Sequence, residues 1–202
     1  MKKIMMIAAM MVAVLSANAQ EAGQMFVKPM VGATMSKFTG DAGESTKFRL
    51  GFVGGAEFGY HVSNQFAATA GLLVAMQGAN TKDTDHLKDI STTLTYLNIP
   101  VLANFYIAPG LAIKAGIQPG FLLSLKGKGS AKINGQWVDQ ESSSTDGTEK
   151  FDLSIPMGLS YEFSDFVIDA RYNLGLTNVN KASDVKAKNA VIMLTLGYKI
   201  NL

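Results

Sequence analysis

The chain has no cysteine, which excludes disulfide staples, thiol nucleophiles and cysteine metal sites. Histidine is nearly as scarce, with only His61 and His86. A Ser–His–carboxylate set on a barrel wall needs a histidine on a strand beside a facing serine. His61 falls at a short turn and His86 in a polar loop, so both read as solvated surface residues and the chain as no enzyme. Metal ligands are thin as well. The loop KDTDHLKD, 82–89, offers oxygens from Asp83, Asp85 and Asp89 but lacks the glycine and glutamate spacing of a calcium-binding hand. It reads as a solvated loop, and nothing implies a cofactor. No run of 18 or more apolar residues follows the first twenty positions, so no transmembrane helix is expected.

A charge excess is also missing. The formal net charge of +2 is carried by Lys2 and Lys3; beyond them stand 16 basic and 16 acidic residues. No basicity remains to attract nucleic acid. Those two lysines open a charged start followed by IMMIAAMMVAVLS and the small-residue site Ala17-Asn18-Ala19. This order predicts a secretory signal peptide over 1–19, too short in its apolar core to span a bilayer. The expected domain is then 20–202, a length that suits one domain.

What the sequence has is alternation. In NAVIMLTLGYKINL, 189–202, the even positions are all apolar and the odd positions mostly small or polar. That is the period of a strand with one apolar face. Seven more segments follow the rule, at about 24–36, 47–61, 65–77, 93–107, 111–126, 150–163 and 166–179. Long polar connections around 37–46, 78–92, 127–149 and 180–188 alternate with very short ones at 62–64, 108–110 and 164–165. The pattern predicts an all-β fold, an eight-stranded antiparallel up-and-down transmembrane β-barrel with short periplasmic turns and long outer loops. Localisation in the bacterial outer membrane and contact with its lipids follow from that expectation.

Alternation alone does not orient the apolar face, since a soluble lipocalin-like binder would turn it inward. Three patterns turn it outward. No apolar face carries a charge, as a lipid-facing band requires. Ten strand glycines, Gly32 and Gly158 among them, lie on the polar face with only Gly54 opposing, which leaves room in a narrow lumen. Aromatics (Phe58, Tyr60, Phe66, Phe105, Tyr161, Phe163, Phe166, Tyr198) gather near the short turns as an interfacial girdle.

The lumen is then expected to hold Lys28, Arg49, Glu57, Lys114, Asp152, Glu162, Asp169, Arg171 and Lys199. Five basic groups face four acidic ones, so they read as a mutually neutralising network filling the bore, with Asp169 and Arg171 paired. An ion path is the sharper alternative. Lys126 is assigned to the same face. Pro100, Pro119 and Pro156 oppose a closed sheet, because proline cannot donate to the ladder, and each needs a bulge or an irregular pairing. In the longest loop, Asn134-Gly135 between AKI and QWV suggests a hairpin turn. Residues 127–149 are therefore either a ribbon beyond the membrane, whose edge can pair with a partner, or an open loop.

TYLNIPVLANFYI with GIQPGFLLS, and IPMGLSYEF with ARYNLGLTN, resemble the PorT-like outer-membrane β-barrel family of Bacteroidetes. The resemblance implies an eight-stranded barrel that tolerates proline in these strands and marks a scaffold, not a chemistry. The last strand looks like the signal read by the barrel assembly machinery, with Leu202 where phenylalanine is usual. The expected function is a plugged barrel with a structural or interaction role, meeting an extracellular or envelope partner through its outer loops. The rivals are a narrow channel for small solutes and the lipocalin-like binder.

Overall fold

The computed structural model describes residues 22–81, 87–133, 136–143, 148–181 and 185–202. The expected signal peptide, His86, Asp83, Asp85 and the Asn134-Gly135 turn lie outside them. The strands are β1 (Met25–Thr39), β2 (Thr46–Lys47), β3 (Arg49–Ser63), β4 (Phe66–Thr81), β5 (Leu87–Asn98) and β6 (Val101–Ala108). They continue with β7 (Leu111–Ile133), β8 (Gln136–Ser142), β9 (Phe151–Phe163), β10 (Phe166–Gly175), β11 (Lys188–Tyr198) and β12 (Ile200–Asn201). All pairings between them are antiparallel. β5 and β6 share both neighbours, β4 and β7, and form one stave interrupted at Ile99-Pro100. β12 continues β11 along β1. β11 pairs with both β10 and β1, so eight staves close a barrel with no edge.

The facing follows parity. Val31, Leu50 and Phe52 are 66%, 74% and 72% exposed, whereas Lys28, Glu57 and Arg171 are buried inside. This corrects the lipocalin-like alternative, which needs the apolar residues inward. Aromatic rings run along the outer surface at the short-turn end. Phe163 stacks on Phe166 at 5.7 Å, and Phe166 meets Tyr198 edge-on at 5.3 Å.

Glycine makes the small bore possible. A Cβ on Gly158 would collide with the Ala170 carbonyl and come within 2.9 Å of Arg171 Cα, so the strands approach there as only glycine allows. Gly158→Ala is expected to cost about 1–3 kcal/mol, since the wall must shift. A methyl on Gly54, on the lipid side, would meet only Met30 O, at 3.8 Å, so Gly54→Ala should leave stability nearly unchanged. Urea midpoints of the two variants refolded into phospholipid vesicles check the pair; equal midpoints contradict the argument.

Two departures from simple alternation have local causes. Tyr96 pairs with Leu122 but Thr95 with Ser124, so Leu123 is an extra residue in β7. A bulge inverts the facing beyond it. Leu125 then opposes buried Leu94, and Lys126 is exposed rather than luminal. Past Phe121, which pairs with Phe151, β7 leaves β9 and takes β8 as its partner, from Gly127↔Ser142 to Ile133↔Gln136. With β5 on its other side, this makes a three-stranded ribbon beyond the barrel. The long region read as ribbon or open loop is thus a ribbon where it is described.

Candidate functional site

Five of the nine luminal candidates meet at mid-height. Asp169 and Arg171 stand two residues apart on β10, hence on one face. The guanidinium donates twice to the carboxylate, Nε to Oδ1 at 2.6 Å and Nη2 to Oδ2 at 2.8 Å. Arg171 Nη1 also makes an ion pair with Glu57 Oε1 of β3 at 2.6 Å. From β1, Lys28 Nζ lies 2.8 Å from Glu57 Oε2 and 3.8 Å from Asp169 Oδ2. From β7, Lys114 Nζ donates to Asp169 Oδ2 at 2.5 Å. Every side chain in this centre is at most 5% exposed. Charges so deeply buried persist only when paired.

The other four candidates do not join that centre. Lys199 and Glu162 pair at the short-turn end, Nζ to Oε2 at 2.9 Å, where Tyr106 OH also donates to Glu162 Oε1 at 2.6 Å. Asp152, towards the long-loop end, accepts from Thr177 Oγ1 and, at 2.8 Å, from Asn189 Nδ2. Arg49 departs from its expected place. It sits half-buried at the start of β3, on the rim, donating to Ser91 Oγ at 3.1 Å and to its neighbour's carbonyl, Leu50 O, at 3.2 Å. Among the described residues it makes no ion pair. The luminal charges therefore form three levels rather than one network.

His61 is a second correction. It is fully buried inside the short-turn end, with its ring 5.2 Å from Phe26 and 5.6 Å from Tyr106 and its Nε2 3.2 Å from Lys199 Nζ. The signal was available, since His61 continues the luminal parity of Glu57 and Gly59. Read as part of a turn, it lost that parity; β3 in fact runs on to Ser63.

Of the ribbon, β8 is exposed along its whole length and, among the described residues, pairs with β7 alone. Lys128 Nζ donates to Glu141 at 2.5 Å and Ser130 Oγ to Asp139 at 2.6 Å. Trp137 packs under Lys88 at 4.8 Å and Lys132 at 5.9 Å. On the ribbon lies a trough of about 260 Å³, bounded by Ile90 and Thr92 on one side and Gln140 on the other, with Gly127 and Gly129 between.

Residues 18–181 match the family model described as outer membrane protein beta-barrel domain. Among solved structures, the chain is similar to Ail, the attachment invasion locus protein of Yersinia pestis. The identity is 17%, with 89% of this chain and 99% of that one covered and a TM-score of 0.51. Ail in complex with the heparin analogue sucrose octasulfate aligns at 20% identity over 89% and 99%, TM-score 0.50. Neisserial surface protein A aligns at 13% identity over 87% and 97%, TM-score 0.50. At these identities the likeness is one of fold. No curated protein matches the sequence.

Proposed function

The chain belongs to the outer membrane protein beta-barrel domain family and sits in the bacterial outer membrane; on that premise we propose that it is a plugged, non-enzymatic barrel whose outer ribbon holds a protein partner. The carrying observation is the ribbon: among the described residues β8 pairs with β7 alone, so one of its edges is unpaired, and each of its residues is exposed. Unpaired N–H and C=O groups on such an edge template an incoming extended segment. The trough walled by Ile90 and Gln140 offers space for its side chains. A closed centre supports the same reading against a channel. Lys28, Glu57, Lys114, Asp169 and Arg171 cross-link four staves through the narrow bore. In this reading the apolar band meets outer-membrane lipids, β11 and β12 address the assembly machinery, and the chain is a PorT-like scaffold barrel of the kind its resemblance to that Bacteroidetes family implies.

Two measurements test it. Photo-crosslinking from benzoylphenylalanine at Val138, in intact cells making the protein, should give a discrete protein adduct. The same probe at Tyr198, in the lipid girdle, should not. Absence of an adduct from every β8 position defeats the ribbon reading. In planar bilayers the purified protein should show no conductance steps, and steady steps would favour the small-solute channel instead.

A further inference from the structure

Pro100, Pro119 and Pro156 are far apart in sequence but adjacent in the wall. Between β4 and the β5–β6 stave, registered pairs stop at Leu73↔Asn98 and resume at Ala70↔Val101. Between that stave and β7 they stop at Asn98↔Gly120 and resume at Val101↔Ile117. Between β7 and β9 they stop at Gln118↔Ser154 and resume at Ala115↔Met157. Each of three consecutive seams thus loses two registered pairs at its own proline, and along β7 the gap steps from Gln118-Pro119 on the β5–β6 side to Gly116-Ile117 on the β9 side. Across the first two gaps a backbone bond persists, Gly71 N–H to Pro100 O at 3.0 Å and Ile99 N–H to Pro119 O at 2.8 Å. The β1–β3 seam, by contrast, runs unbroken from Met25↔Tyr60 to Ser36↔Arg49. A proline has no N–H to give the ladder, and lipid supplies no substitute for a lost bond. Each of the three seams is therefore weakened at its proline.

A second, independent observation lies behind the gap. Asn98 and Gln118 flank it from the lumen, each 2% exposed. Asn98 Nδ2 and Gln118 Oε1 have no hydrogen-bond partner. A buried donor and a buried acceptor left unpaired on neighbouring strands can hold the polar group of a ligand. Both are uncharged. On the lipid side the gap is bordered by Val101 and Ile117, 46% and 57% exposed. Towards the short-turn end the way is closed by Lys114 and its partners, four residues along β7 from Gln118.

We propose that this patch is a lateral portal: the β6–β7 and β7–β9 seams part at the three prolines and pass a small amphipathic molecule between the bilayer and the lumen. Its body is apolar, and its uncharged head bonds to Asn98 and Gln118. The inference is separate from the ribbon reading and survives its failure.

The absence of cysteine gives a clean test. In vesicles, Gln118→Cys is exposed to N-(1-pyrenyl)maleimide, which resides in the bilayer, and to a disulfonated stilbene maleimide confined to water. Thr69→Cys is the control, a buried luminal position on an unbroken stretch, Gly59↔Thr69↔Leu102. The pyrenyl reagent should label Gln118→Cys at least tenfold faster than Thr69→Cys. A disulfide between Val101→Cys and Ile117→Cys, across the seam, should bring that rate to the control level, and reduction should restore it. Should that bridge not close, Pro119→Ala with Pro156→Ala returns a ladder donor to each of the two parting seams and should slow labelling about tenfold. Equal rates at the two sites, rates indifferent to both closures, or equally fast labelling by the water-confined reagent would each overturn the portal.

Discussion

Asp169→Ala should be the most damaging single change in the barrel, lowering the unfolding free energy in vesicles by about 3–5 kcal/mol, the range for breaking a buried ion pair from one side. Asp169 touches Arg171, Lys114 and Lys28. The centre holds those three cations against two carboxylates, so removing Asp169 leaves three positive groups around Glu57 alone. Arg171→Ala removes more atoms but leaves two cations facing two carboxylates. It should therefore be destabilising yet cost less than Asp169→Ala, though it also forfeits the two-pronged bond that no lysine reproduces. Asp169→Asn keeps the volume and separates charge from packing; it should fall nearer to Asp169→Ala than to wild type. Urea midpoints at neutral pH rank the variants. Wild-type stability for Arg171→Ala, or a larger loss for it than for Asp169→Ala, contradicts this account of the centre.

Why that centre was largely legible and the rest less so comes down to parity. A strand residue's side is fixed by counting, so Lys28, Glu57, Lys114, Asp169 and Arg171 were placed inside by position alone. Parity says nothing of height; distance from the turns does, and that rule was applied to the aromatics but not to the charges. Glu162 stands beside the 164–165 turn, Asp152 beside the 127–149 connection and Arg49 beside the 37–46 connection, so their separation was readable. Counting also fails where it is reset. The extra Leu123 of β7 flipped Lys126 outward, and a boundary drawn at His61 hid a buried imidazole. The prolines show the same limit. Each was visible as an obstacle to its own strand, but which seam each one interrupts is a property of the closed sheet. The missing rows are the irregular pairing that a proline inside a strand calls for, one gap to each proline.

Outward parity also sets the second large effect. Leu194→Arg should cost about 2–4 kcal/mol, the penalty for a cation at the bilayer midplane of a barrel wall. Leu194 is 56% exposed near the middle of β11 and pairs with Ala33 on one side and Ala170 on the other. Neither alanine offers a polar group to the guanidinium, so relief comes only from snorkelling towards the interface or thinning the bilayer. Ile200→Arg, past the girdle residue Tyr198, should cost about 0–1 kcal/mol because depth falls away there. Val138→Arg on the ribbon is 41% exposed in the native chain and should be nearly neutral, since water, not lipid, surrounds it. The three positions share similar exposure and differ in what they are exposed to. A graded series from Leu194 through Ile200 to Val138 therefore measures the surrounding medium directly. Equal costs at Leu194 and Val138 would mean that the apolar band does not face lipid, and the wall would have to be read the other way round.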